Sequence, residues 1–238
     1  MVKHLVALST ALMSALHVSA VAAASGSDNL FITGVQASSQ SSYAYAGVLR
    51  AAKNSSIGDG LYYKAVASYL TYTYDTTLNN LAVRNTGTAP GIDIGAGYAS
   101  HGEGYTADIS ASVGYRHLHL SPVIPANERV GGRVSFTPQF QGSLTLAKNV
   151  EARTLISYTF GQQSSFDRAQ LIAKFPNNWF GGLEDSYQEG KKYQINQIGF
   201  VAGKNLTNGY ALSLSAGRSR QRGSGSSNYA GVSLSRLF

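Results

Sequence analysis

The sequence predicts an all-β fold: a single antiparallel β-barrel that crosses a membrane with about twelve strands, within a range of roughly 10 to 14. Three observations lead there. Apolar and polar residues alternate with a period of two through most of the chain, the pattern of strands with one greasy and one wet face. Only 13% of the 238 residues are charged, while 26 are glycine and 15 are tyrosine, unlike a solvated helical protein or a charge-rich disordered one. The one long apolar run lies at the N-terminus, mean hydropathy is −0.09, and no later stretch approaches the roughly 20 apolar residues of a spanning helix. The lack of cysteine excludes disulfide scaffolds, thiol chemistry and Cys-ligated metals.

Residues 1–24 read as a Sec signal peptide. Lys3 supplies a positive start, Leu5 to Val18 an apolar stretch, and Ala22, Ala23 and Ala24 a small-residue cleavage site. Residues 25–238 then form the barrel. Alternation is clearest after Tyr105, where Ala107, Ile109, Ala111, Val113 and Tyr115 share one face and Thr106, Asp108, Ser110, Ser112 and Arg116 the other. It recurs over 134–146, 152–160, 169–175 and 210–216. With turn-forming residues taken as breaks, strands fall near 29–38, 42–53, 60–75, 91–100, 104–118, 131–146, 150–161, 168–175, 178–187, 192–203, 209–220 and 228–238. A membrane barrel must close, because hydrocarbon cannot satisfy the backbone groups of an open edge. With both termini in the periplasm, short turns at 54–59, 100–104, 147–149, 176–177 and 204–208 fall inside, and the longer links 76–90 and 119–129 fall outside. That is the outer-membrane arrangement. Strand 60–75 is apolar on both faces, and Gln197-Ile198 shifts the alternation, which predicts a bulge.

Three features separate this barrel from a soluble sandwich. Its polar face is Ser, Thr, Gln and Arg, not the Lys and Glu of a solvated sheet. Tyr43, Tyr45, Tyr72, Tyr74, Tyr98, Tyr115, Tyr158, Phe160, Phe175, Trp179 and Tyr193 lie near segment ends, where interfacial aromatic girdles sit. The alternating segment from Tyr229 ends on Phe238, similar to the terminal signal of bacterial outer-membrane barrels, although Arg236 stands where an apolar residue is more usual.

The segments SYAYAGVLRAAKNSSIGDGLYYKAVASY, residues 42–69, and GIDIGAGYASHGEGYTADISASVGYRHLHLSP, residues 91–122, resemble the cellulose biosynthesis protein BcsS family. A long loop, paired strands, GGLEDSYQEGKKYQINQIGF and a closing strand follow in the family's order, so the resemblance covers nearly all of 25–238. It implies a signal-bearing outer-membrane protein encoded with bacterial cellulose synthase components, hence a non-enzymatic accessory of cellulose synthesis or secretion with those components as partners. It carries over no site residue.

Barrels of 8 strands are filled by side chains and those of 16 to 18 enclose water, so twelve predicts a narrow lumen. The inward face is expected to carry Asp93, Asp108 and Glu151 with the cations Arg116, Arg133, Arg153, Arg168, Lys174 and Lys192, and these six are the candidate binding residues. A basic constriction favours anions, so a narrow porin for acidic oligosaccharides or other small acidic solutes is the alternative function. Arg218, Arg220, Arg222, Lys191 and Lys192 are expected at the outer rim, against lipid and lipopolysaccharide phosphates. Lumenal arginines paired with carboxylates would instead hold a plugged barrel together. His117 or His119 with Ser121 would be the elements of a lipid hydrolase, but no Asp lies near in sequence, so no catalytic residue is assigned. The same histidines lack a third metal ligand. Gly95, Gly97, Gly102 and Gly104 precede no helix and read as bends and turns, so neither cofactor nor metal is expected. The basic residues are dispersed along strands, which argues against nucleic acid.

Overall fold

The computed structural model describes residues 27–78, 81–122, 130–190, 193–222 and 225–238. The expected signal segment, Lys191 and Lys192 lie outside them. The strands are β1 (Asn29–Ser38), β2 (Ser41–Ala51), β3 (Gly60–Leu78), β4 (Leu81–Gly102), β5 (Tyr105–Ser121), β6 (Gly131–Ala147), β7 (Val150–Thr159), β8 (Ser164–Lys174), β9 (Trp179–Gly190), β10 (Tyr193–Asn205), β11 (Tyr210–Gln221) and β12 (Gly225–Leu237). Each pairs antiparallel with its chain neighbours, and β1 closes the ring on β12 in a register running from Leu30 opposite Leu237 to Ser38 opposite Tyr229. No sheet edge is left, which is what removal from water demands.

The alternation resolves into an inverted protein. Side chains turned outward are apolar and bare: Phe200 is 69% exposed, Ile109 67%, Val134 66%, Ile198 65% and Ile94 63%. Those turned inward include Thr137, Gln139, Ser112 and Glu151, all buried. A water-soluble sandwich buries the first set and exposes the second. The protein buries its polar residues in the lumen and offers its grease to lipid.

Three sequence expectations need correction. Residues 76–90 are not a loop, because β3 and β4 remain paired from Leu70 opposite Ala89 up to Leu78 opposite Leu81. The β-favouring Thr71, Tyr72, Thr73, Tyr74, Val83, Thr86 and Thr88 extend the hairpin, and Arg84 Nε meets Asp75 Oδ1 at 3.1 Å across it. Pro90, lacking an N–H, interrupts the β4–β5 ladder between the Thr88–His119 and Gly91–Arg116 pairs without changing register. The register also runs unbroken through Gln197 and Ile198 on both sides; the irregularity lies at Thr145 and Ala147, in the β6–β7 turn. That turn and the one around Asn208-Gly209 (φ 60° and 77°), an Asn-Gly hairpin signal, lie at the end of the barrel that holds the termini.

The third correction concerns the aromatics. Tyr98, Tyr115, Tyr158, Phe160, Phe175 and Trp179 face outward and are exposed, as girdle residues must be. Tyr43, Tyr45 and Tyr72 instead turn into the lumen and are buried, with Tyr74 packed against the same cluster. The side chain of Tyr193 lies outside the described set. At the terminal end the girdle is reinforced by cations over rings: Lys204 Nζ lies 5.1 Å from the Trp179 centroid, and the Arg236 guanidinium lies 4.9 Å from Tyr210 and 5.5 Å from Phe238. Such contacts are favourable, and they give Arg236 a place beside the terminal aromatic.

Candidate functional site

The site is the lumen, built by whichever parity each strand turns inward. On β2 and β3 that parity carries tyrosines. Tyr43 and Tyr45 stack with centroids 5.9 Å apart and planes 20° apart, and Tyr72 and Tyr74 repeat the arrangement at 6.1 Å and 21°. Because Tyr45 lies opposite Ser68 and Tyr43 opposite Leu70, the four rings climb one wall toward the end opposite the termini. On β5 to β9 the inward parity carries hydroxyls and amides, among them Ser112, Thr137, Gln139, Ser157, Gln170 and Ser186, all buried. One side of the lumen is therefore lined by tyrosine rings and the other by hydrogen-bonding groups.

Of the six candidate cations, Arg116, Arg133, Arg153, Arg168 and Lys174 share the inward parity of their strands, and Lys192 is outside the described residues. They do not stand as a free basic lining. Arg153 donates from Nε to Glu151 Oε1 at 2.8 Å, and Lys174 Nζ donates to the other carboxylate oxygen at 2.8 Å. Arg116 donates from Nη1 to the Ala89 carbonyl at 3.2 Å and from Nη2 to Ser68 Oγ at 3.1 Å. It lies opposite Arg133 in the β5–β6 register. Arg168 interacts electrostatically with Glu184, Tyr45 and Tyr229, and Glu184 also accepts from Gln170 Nε2 at 2.6 Å. Paired carboxylates satisfy buried guanidinium groups that would otherwise be costly to desolvate.

Two charged residues were missed from the sequence. Lys64 is buried on β3 and donates to Ser110 Oγ at 2.9 Å and Gln139 Oε1 at 3.5 Å. It also interacts with Asp93 and Asp108, while Tyr62 donates its hydroxyl proton to Asp108 at 2.9 Å. Glu184, buried on β9, is the second. Tyr62 and Val66 share the inward parity of the lysine while Tyr63 and Ala65 flank it, so alternation around it carries little contrast, and beside Glu184 the outward Asp185 puts an acid on each face.

Side chains also reach across. Leu155 of β7 and Phe166 of β8 belong to the cluster formed by Ile32, Tyr43, Tyr45 and Leu70 on the β1–β3 side, and Gln36 of β1 donates to Gln197 of β10 at 3.3 Å. The interior is therefore bridged between walls.

The triad around Glu151 gives a first stability test. Glu151→Gln keeps the shape but deprives two cations of their partner, and a charged hydrogen bond lost at a buried position costs about 1–3 kcal/mol. Urea unfolding of the vesicle-inserted barrel is expected to show a lower midpoint for this variant, whereas Glu103→Gln, on an exposed turn, is expected to leave it in place.

His117, His119 and Ser121 lie on the outward, exposed parity of β5, and neither histidine makes an ion pair or hydrogen bond with a described residue. Among the described residues no group of three or more His, Asp or Glu is placed to hold a metal.

Solved outer-membrane barrels share this architecture. The chain is similar to the KdgM porin at 8% identity and a TM-score of 0.56, covering 88% of this chain and 99% of that one. It is similar to an outer membrane channel from Pseudomonas putida F1 at 10% and 0.54, covering 92% and 98%. A third likeness is to the translocator domain of the autotransporter NalP from Neisseria meningitidis, at 10% and 0.53, covering 91% and 90%. At such identities the likeness is one of fold. No curated protein matches by sequence. The family comparison reaches further than fold: residues 30–238 match the model of cellulose biosynthesis protein BcsS, and the chain belongs to that family.

Proposed function

We propose that the barrel is a non-enzymatic accessory of bacterial cellulose synthesis or secretion, delivered to the outer membrane by the signal segment 1–24, its termini in the periplasm where synthase and export components can meet it. The observation that carries this reading beyond the family is the two-sided lumen. Tyrosine faces suit the apolar faces of pyranose rings, and serine, threonine and glutamine opposite suit their hydroxyls. A neutral, hydroxyl-rich chain gains from both, whereas the internal pairing of Arg153, Lys174, Lys64 and Arg168 leaves less attraction for an anion. Deleting the gene and measuring cellulose at the cell surface is the test. Surface cellulose is expected to fall, to recover with the intact gene, and to recover poorly with a Tyr45→Ala/Tyr72→Ala version that still assembles. Unchanged cellulose in the deletion strain would remove the proposal.

The register pairing of Arg116 with Arg133 favours a second reading, a narrow porin for acidic oligosaccharides. The KdgM porin has been seen in complex with oligogalacturonate. Anion-selective conductance in planar bilayers, reduced by Arg116→Gln, is what that reading expects.

A further inference from the structure

The outward face of β11 changes character along its length. Leu212 and Leu214 are bare apolar residues, Ala216 follows, and then Arg218, Arg220 and, at the strand's tip, Arg222 are all exposed. β12 changes at the same level and β10 one outward position further along. On β10 the outward Phe200 and Ile198 give way to Asn196, and on β12 Val232 and Ala230 give way to Asn228 and Ser226. Arg218 lies opposite Ile198 and Asn228, and Arg220 opposite Asn196 and Ser226. A transition from grease to polar groups shared by three strands marks where hydrocarbon ends and headgroups begin. The arginines stand immediately beyond that line, at the end away from the termini.

None of the three makes an ion pair or a side-chain hydrogen bond with a described residue, and Arg222 alone is close enough to act electrostatically on Tyr187 of β9, whose hydroxyl donates to Glu189. The outward acids of β9, Asp185 and Glu189, are two strands away, about 10 Å by strand spacing. Arginines two residues apart on one strand face are about 7 Å apart, and each presents a planar fork that grips phosphate oxygens in pairs. Regularly spaced, exposed guanidinium groups at headgroup depth are placed to take an anionic partner from the same layer.

We infer that Arg218, Arg220 and Arg222 form a docking row for a phosphorylated glycolipid of the outer leaflet, with Asn196 and Asn228 framing the headgroup and the acyl chains lying along Leu214, Ile198 and Phe200. The inference rests on the periplasmic placement of the termini proposed above. It is read out in vitro, so its failure leaves the cellulose phenotype to stand or fall separately.

The test is native mass spectrometry of the purified full barrel in nanodiscs of phosphatidylcholine doped with bisphosphorylated lipid A. The wild type is expected to retain the glycolipid. Arg218→Gln/Arg220→Gln/Arg222→Gln is expected to lose affinity roughly a hundredfold and Arg220→Gln alone about fivefold, with the unheated-gel mobility of a folded barrel retained. If the triple variant does not assemble, the single variant is the measurement. Dephosphorylated lipid A is expected to bind the wild type as weakly as lipid A binds the triple variant, and millimolar inorganic phosphate to displace nothing. Equal retention by the wild type and Arg220→Gln, or equal binding of dephosphorylated lipid, overturns the docking row. Displacement by inorganic phosphate overturns the lipid and reassigns the row to free phosphate.

Discussion

Arg168→Ala is expected to raise the single-channel conductance of the reconstituted barrel several-fold. Strands β8 and β2 are six places apart in a ring of twelve, in either direction, and so face each other across the lumen. Arg168 leaves the β8 wall buried to 7% exposure and interacts with Tyr45 on β2, Tyr229 on β12 and Glu184 on β9. Phe166, one inward position away, packs into the cluster that contains Tyr45. One long side chain thus spans much of the interior that twelve strands leave between a filled barrel and an open pore. Its removal deletes the bridge and leaves Glu184 with Gln170 as its neutral donor, turning a compensated section of the lumen acidic. Conductance is therefore expected to rise and selectivity to move toward cations. Arg168→Lys, which keeps a charge but not the planar reach, is expected to change conductance less. Planar-bilayer recordings decide: equal conductance for wild type and Arg168→Ala means the lumen is sealed at another level.

Ile94→Arg is expected to lower the urea midpoint of the inserted barrel, while Leu81→Arg is tolerated. Both residues are bare, at 63% and 71% exposure. Exposure alone cannot distinguish them. Ile94 lies on the outward face of β4 between Ala65 and Val113, in the middle of the greasy band, where arginine costs about 2–4 kcal/mol at the bilayer midplane. Leu81 begins the same strand at the tip of the tall β3–β4 hairpin, and a surface substitution in water costs within about 0.5 kcal/mol. Urea titration of the barrel folded into phosphatidylcholine vesicles, followed by unheated-gel mobility, measures both. Equal midpoints would mean that Ile94 meets water, and the membrane reading of the whole outward face would fall with it.

Legibility in the sequence followed contrast between the two strand faces. From Tyr105 to Arg116 one parity is wholly apolar or aromatic and the other wholly Ser, Thr, Asp, Gly or Arg, so the inward positions of Asp108 and Arg116 could be read directly. Arg153 and Arg168 were legible for the same reason. On β2 and β3 both parities are apolar, and a one-residue slip would exchange the faces at little apparent cost. Tyr43, Tyr45 and Tyr72 therefore read as girdle residues, and Lys64 among them went unread. The β3–β4 hairpin was misread because Asn85, Gly87 and Pro90 are turn-formers. Pairing overrode them, since a strand whose neighbours supply partners tolerates a residue that an isolated strand would not.

What the amino-acid order determined by itself was the period, the count of strands and the sign of the two faces, because each depends on residues close together in the chain. Ring closure decided what faces what across the lumen: that tyrosines climb one wall and that hydroxyls oppose them, while strand pairing brought Arg116 to a carbonyl and Lys174 and Arg168 to carboxylates on neighbouring strands. Those meetings join residues as far apart as Gln36 and Gln197. Strand tilt and register bring such pairs together, and neither is written in any local stretch of sequence.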